Sequence, residues 1–136
     1  VAIARTDLAE IALVQKDFAK ARAWIGDAFK PASNQVRRLM VFLSALAGYL
    51  VLSSEDKEDK RKAACFYGAI ESLSERSGVV LGAFYQNLNQ ERMQIARENL
   101  SAKEWLDAFE SGRGWERGEA IQQAKMELSL LLRNAP

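Results

Sequence analysis

The sequence predicts an all-α fold, a stack of about seven helices paired as antiparallel hairpins. Three observations carry that prediction. The 136 residues hold two prolines and eight glycines, and Ala, Leu, Glu, Gln, Lys and Arg are abundant, a composition that favours helix along most of the chain and leaves almost no strand. Apolar residues return at steps of three and four in one segment after another. The turn between the first two segments is too short to join anything but antiparallel neighbours. With 49% apolar and 27% charged residues, the chain is neither disordered nor too small for a core, and its length suits one domain spanning 1–136.

The first helix carries the stripe Ala4, Leu8, Ile11 and Ala12, with Arg5, Asp7, Glu10 and Gln15 mostly elsewhere. The pattern breaks at Gln15-Lys16-Asp17, where Asp17 is a good N-cap. Phe18, Ala21, Ile25 and Ala28 then form a second stripe that Pro31 ends, with Ser33-Asn34 placed to cap the next helix. Residues 1–32 are thus a hairpin. The third helix, about Gln35 to Ser53, is apolar on every side, Ser44 being its one plainly polar residue from Leu39 to Leu52. A membrane span needs about 20 such residues, so the expected place is the interior, contacted on both flanks, with Ala45, Ala47 and Gly48 allowing close crossings. From Ser53 to Lys62 acids and bases alternate, which predicts a solvated turn and a helix start capped by Asp56.

The chain is organised around the helix from Lys57 to Ser77. Its Ala63, Phe66, Ile70 and Leu73 share a face, and Ala64 and Gly68 leave a groove beside them, expected to meet the third helix. Gly78 suits a left-handed cap, with Val79 folding back on Leu73. Residues 33–78 form a second, longer hairpin. Residues 79–136 form a non-repeat helical C-terminal cap. Within it one helix runs from about Phe84 to Asn99, and Ser101-Ala102-Lys103-Glu104 reads as a capping box. Trp105, Ala108 and Phe109 share one face of the next helix, and a last one turns Ile121, Ala124, Leu128 and Leu131 inward as far as Asn134.

Leu8, Ala9, Ala12, Asp17-Phe18, Ala21, Ile25 and Ala28 resemble the tetratricopeptide pattern of small and aliphatic residues around an Asp-aromatic turn. Arg5 stands where that pattern prefers Trp. The resemblance implies a tetratricopeptide-like right-handed stack of antiparallel helical hairpins. Ala9 recurs as Ala47 and Ala21 as Ala64, each separation exceeding the ~34 residues of the ideal repeat, which fits the longer second hairpin. From Lys62 onward the chain is similar to the C-terminal part of large bacterial regulators that join a STAND-class signalling ATPase to such repeats, often with a LuxR-type or SARP-type DNA-binding domain. Ala63-Ala64-Cys65-Phe66-Tyr67-Gly68-Ala69-Ile70-Glu71, then Ala96-Arg97, Leu100, Trp105, Ala108-Phe109, Gly112-Arg113 and Glu119-Ala120-Ile121 carry the likeness. The family often has an aromatic where Asn89 stands and two prolines where this chain has Gly82-Ala83. The resemblance implies a protein-interaction or sensor segment of a signalling or transcriptional regulator, the ATPase and DNA-binding parts lying elsewhere.

Chemistry finds no foothold in the residues. There is no His, and Cys65 is the one cysteine, so metal centres and activated nucleophiles are not expected, and no cofactor is. Gly112-Arg113-Gly114-Trp115-Glu116-Arg117-Gly118 lacks both the dinucleotide spacing and the Lys-Ser or Lys-Thr of a phosphate loop. It reads as a helix end whose Arg113 meets a carboxylate or another helix's C-terminus. The 19 basic and 18 acidic residues give a net charge of +1, too balanced to draw nucleic acid or an anionic membrane. A lone cysteine and no visible leader fit the cytoplasm. The chain starts at Val1, in helical register, which leads to the expectation of a segment cut from a longer protein. An N-terminal face including Ile3, Leu13 and Trp24 would then meet a neighbouring repeat or a second copy in a homodimer. Ile3, Trp24 and Arg113 are the candidate interaction residues. The rival is a small-effector module, favoured by unpaired polar groups between the first, third and fifth helices.

Overall fold

In the computed structural model, which describes residues 4–32 and 35–133, every regular element among the described residues is a helix and none is a strand. The helices are α1 (Arg5–Val14), α2 (Phe18–Ala32), α3 (Val36–Ser53), α4 (Lys57–Ser77), α5 (Ala83–Glu98), α6 (Ala102–Arg113) and α7 (Arg117–Arg133). Their ends follow local chemistry. Asp56 accepts a hydrogen bond from the Glu58 N–H at the start of α4, and Ser101 and Glu104 form the full capping box of α6. Gly78, at φ 76°, ends α4 in the left-handed conformation that a side chain would resist. The tight α1–α2 turn places Lys16 at φ 59°, and Asp17 accepts from the Lys20 N–H at 3.2 Å.

The core is built around α3. Every residue from Phe42 to Val51 is buried, because α1 and α2 pack on one flank, α4 and α5 on the other, and α7 reaches α2, α3 and α4. By length and composition alone α3 could span a membrane, but its apolar surface is taken up by these neighbours. Ala21, Ile25 and Ala28 turn inward from α2, and Ala124 and Leu128 from α7.

Four expectations are corrected. The core face of α1 is Ala9, Glu10, Ala12 and Leu13, while Ile11 is 49% exposed. The helix is rotated from the expected stripe so that the small Ala9 and Ala12 enter the core with Leu13, and Glu10 goes in with them to a buried partner described below. Pro31 does not stop α2, which continues to Ala32. A proline in a last turn forfeits one backbone bond and does not break a helix already formed. Lys60 is not solvated: it is 2% exposed, and its Nζ donates to the carbonyls of Val51 at 3.0 Å and Ser54 at 2.7 Å. Carbonyls at the end of α3 have no amide partner within their helix, and a long basic side chain satisfies them at the negative end of the dipole.

The fourth correction concerns the close crossing of α4, which is made with α6, its most extensive neighbour. A Cβ on Gly68 would stand 2.0 Å from the Phe109 carbonyl oxygen, and one on Gly112 would stand 1.7 Å from the Cys65 carbonyl oxygen. Gly112 is therefore more than a helix ending: the two glycines let two backbones touch, and aromatic pairs flank the crossing, Phe66 against Trp115 and Trp105 against Phe109.

Candidate functional site: a buried polar layer beneath a groove

Between α3 and α5 the molecule is held by polar groups. The buried residues of α5 are Asn89, Arg92 and Ala96, spaced by three and four and so on one face. They meet α3 at Ser44 and Gly48, themselves one turn apart. Ser44 Oγ donates to the Met40 carbonyl at 2.9 Å and accepts from Asn89 Nδ2 at 3.1 Å. Because the hydroxyl hydrogen is committed to Met40, Oγ must accept, which fixes the amide of Asn89 with Nδ2 toward Ser44 and Oδ1 away. Gly48 leaves room for Arg92: a Cβ there would lie 2.5 Å from Nη1 of the guanidinium.

Arg92 reaches past α3 to α1, where Nη1 donates to Glu10 Oε2. Both side chains are nearly sealed, at 4% and 2% exposure. Burial pushes the Glu10 carboxyl above its ordinary value, and the nearby Arg92 charge and hydrogen bond pull it back in part. Tyr67, from α4, is 3% exposed, and burial raises its phenol so far that it stays a neutral donor. Three buried atoms here have no hydrogen-bond partner: Glu10 Oε1, Tyr67 hydroxyl and Asn89 Oδ1. Such groups are rare in folded interiors, each leaving a desolvation cost of about 1–3 kcal/mol unmet.

Over this layer lies a groove, because α5 packs only lightly on α4 and α6. One cavity of ≈ 330 Å³ is bounded by Tyr67, Ile70, Leu81, Asn89 and Met93 among others. A second, of ≈ 690 Å³, continues past Arg97, Trp105 and Leu106. Glu71, Met93 and Phe109 line both. The Arg97 guanidinium lies 5.0 Å from the centre of the Trp105 ring, a cation–π contact that helps hold α5 beside α6. A further recess of ≈ 390 Å³ is lined by Arg5, Asp7, Arg37, Arg38 and Tyr85. Tyr85 donates there to Asp7 at 2.5 Å and Arg37 to the Val80 carbonyl at 3.2 Å, while Arg5 and Arg38 are exposed.

The candidate residues read from the sequence do not converge. Ile3 lies outside the described residues. Trp24 is half-buried against the core on α2, and Leu13, expected on the same open face, is 1% exposed. The exposed apolar residues of α1 are Ile11 and Val14. Arg113 meets the carboxylates of Glu75 at 2.9 Å, Glu71 at 3.6 Å and Glu110 at 3.8 Å. It ties α6 to α4 at the edge of the groove. Cys65 is half-buried, and burial together with Glu58 raises its thiol, which leaves little thiolate to react. Among the described residues no group of three or more potential ligands is placed to hold a metal ion. No family model, curated protein or solved structure matches this chain.

Glu10, Tyr67, Asn89 and Arg92 were not singled out as site residues by their pattern. Two signals pointed toward them. Ser44, the one polar residue in the apolar run of α3, sits four before Gly48 and marks the stripe where α5 docks. Asn89 stands where a related pattern places an aromatic.

Proposed function

We propose that this chain is a tetratricopeptide-like right-handed stack serving as the sensor segment of a bacterial signalling or transcriptional regulator in the cytoplasm. It performs no catalysis. The repeat reading is supported by the packing order of the first six helices, in which α1 touches α2 and α3, α3 touches α4 and α5, and α4 touches α5 and α6, the nearest-neighbour scheme of a helical array; α7 departs from that scheme by folding back onto α2, α3 and α4. Of a protein-contact surface and a small-effector site, the second has a specific observation behind it. That observation is the groove between α5 and the α4–α6 pair, whose lining includes Tyr67 of α4 and Asn89 of α5, each with an unpaired polar atom. Apolar walls with a few placed polar groups are the usual make-up of a small-molecule site. The near-neutral chain gives no support to direct nucleic-acid binding by this segment.

The experiment is a thermal-unfolding series with the dialysable and the retained fractions of a bacterial extract. An effector that binds only the folded chain raises the midpoint by mass action. The dialysable fraction is expected to raise it, and Met93→Trp, which fills the groove, is expected to abolish the rise. A rise with the retained fraction alone would replace the effector with a macromolecular partner.

A further inference from the structure

The cavity between α4 and α5 carries a more specific message than its shape. Two residues in its lining, Tyr67 and Asn89, are more than nine-tenths buried, and each holds a polar atom without a partner. The two atoms differ in kind. The Tyr67 hydroxyl carries a donor hydrogen as well as an accepting oxygen. Asn89 Oδ1 is an acceptor, its orientation fixed through Ser44 and Met40. Around them the wall mixes apolar side chains, Met40, Ile70, Leu81 and Met93 among them, with the polar Ser74, Gln86 and Gln90, of which Ser74 and Gln86 donate to the carbonyls of Val79 and Leu81; no Lys or Arg lines it. Glu71 and Glu75 also line it, and both are paired with Arg113, so the lining offers a charged ligand no charge that is not already shared.

We propose that this cavity recognises a small uncharged molecule bearing a carboxamide or lactam edge, its carbonyl accepting from Tyr67 and its N–H donating to Asn89 Oδ1. This rests on the reading of the groove as an effector site. An amide presents an acceptor and a donor on one edge, one for the Tyr67 hydroxyl and one for Asn89 Oδ1, two groups that line the same cavity. The volume of ≈ 330 Å³ lies at the lower end of the ~300–1,000 Å³ typical of small-molecule pockets, which suits a single ring carrying that group. Both protein atoms are covered, and Met93, half-buried in the same lining, is the adjustable part of the wall: an unbranched thioether rotates aside at small cost.

The test is an NMR titration of the ¹⁵N-labelled chain with benzamide, and with acetophenone and N,N-dimethylbenzamide, which keep the carbonyl and lack the N–H. Benzamide is expected to shift the amides of Ile70, Ser74, Asn89 and Met93 and to bind roughly fivefold more tightly than either control, the worth of one hydrogen bond. Tyr67→Phe removes a hydroxyl that has no partner, so its thermal midpoint is expected to stay level or rise. It should weaken all three probes by a similar roughly fivefold factor while leaving the ratio between them unchanged. Equal affinity for the three probes, with shifts in the groove, overturns the amide assignment and leaves the effector groove standing, Tyr67 and Asn89 then being met by buried water. Absence of shifts in the groove with every probe overturns the proposal too, and the extract experiment decides separately whether the groove receives an effector at all.

Discussion

Two helix crossings in this molecule are made by opposite means. At α4–α6 the backbones touch through Gly68 and Gly112, with aromatic side chains closing the sides. Ion pairs between the same helices, Arg113 with Glu71 and Glu75 and Arg61 with Glu104, add to the contact, but where the glycines meet it is backbone against backbone, which cannot give way. At α3–α5 the helices are joined through Asn89–Ser44 and through Arg92, which passes Gly48 to reach Glu10 on α1. The first crossing is fixed by shape. The second is fixed by partners, and three atoms of the polar layer around it, on α1, α4 and α5, are left over. A helix held by a few directional bonds depends on each partner being present, whereas a glycine-to-backbone contact depends on no atom being added.

The largest effect is expected where a buried charge loses its partner. Glu10→Leu leaves the Arg92 guanidinium sealed without its carboxylate, and breaking a buried pair in this way costs about 3–5 kcal/mol. Arg92→Leu is expected to cost less, because Glu10, whose carboxyl burial already raises, can take up a proton and become neutral. Replacing both by Leu should recover most of the loss. Urea unfolding of the three variants checks the ranking. If Arg92→Leu proves the more damaging, the account of Glu10 as the group that can neutralise is wrong.

Next in size is the glycine crossing. Gly112→Ala and Gly68→Ala each drive a methyl into a carbonyl of the facing helix, and backbone cannot rotate aside as a side chain can. Each is expected to cost about 3 kcal/mol, the upper end of overpacking. Because the two share one crossing, the double variant should cost less than the sum. A thermal midpoint unchanged in either single variant would mean that α4 and α6 stand further apart than described.

How far each region could be read from the sequence follows the same division. Helix ends were legible at Asp17, Asp56, Gly78 and Ser101, because caps depend on neighbours in the chain. The burial of α3 was legible because a helix apolar all round has only one place to go. That Gly68 would be a point of close approach was legible too, but its partner was not, since a glycine states that something comes near without stating what. The polar layer was hidden for a physical reason. Glu10 and Arg92 look like surface residues until the fold brings them together, and an ion pair between distant segments leaves no periodic trace. Lys60 was hidden likewise, its partners being backbone carbonyls that carry no side-chain signature.

Tyr67→Phe should change stability by less than about 1 kcal/mol, and toward greater stability, since a buried hydroxyl without a partner is a cost that the variant removes. The comparison is sharpened by Gly68→Ala one position along: two neighbouring substitutions on α4, one neutral and one damaging, separate the face that meets the polar layer from the face that meets α6. A marked loss for Tyr67→Phe would show that the hydroxyl has a partner holding α5 in place.

The smallest expected effect is a pH dependence confined to the polar crossing. The Glu10 carboxyl is raised in the folded chain, chiefly by burial. Between its unfolded value and the raised one the folded state therefore binds the proton more readily. By linkage this contribution is fully present below the unfolded value and is lost as the pH rises through the folded one. Glu104 tilts the other way, because its capping hydrogen bond with the Ser101 backbone, and then Lys57, lower its carboxyl, so stability from that group fades as the pH falls. The two are separated by comparing the chain with Glu10→Gln, which keeps the shape and cannot titrate. Measured by urea unfolding between about pH 4 and about pH 8, the stability of the chain relative to Glu10→Gln should increase on acidification. A difference that stays flat, or decreases on acidification, would mean that Arg92 holds Glu10 ionised more strongly than burial opposes it, and the α3–α5 crossing would then be as firmly fixed as the glycine crossing beside it.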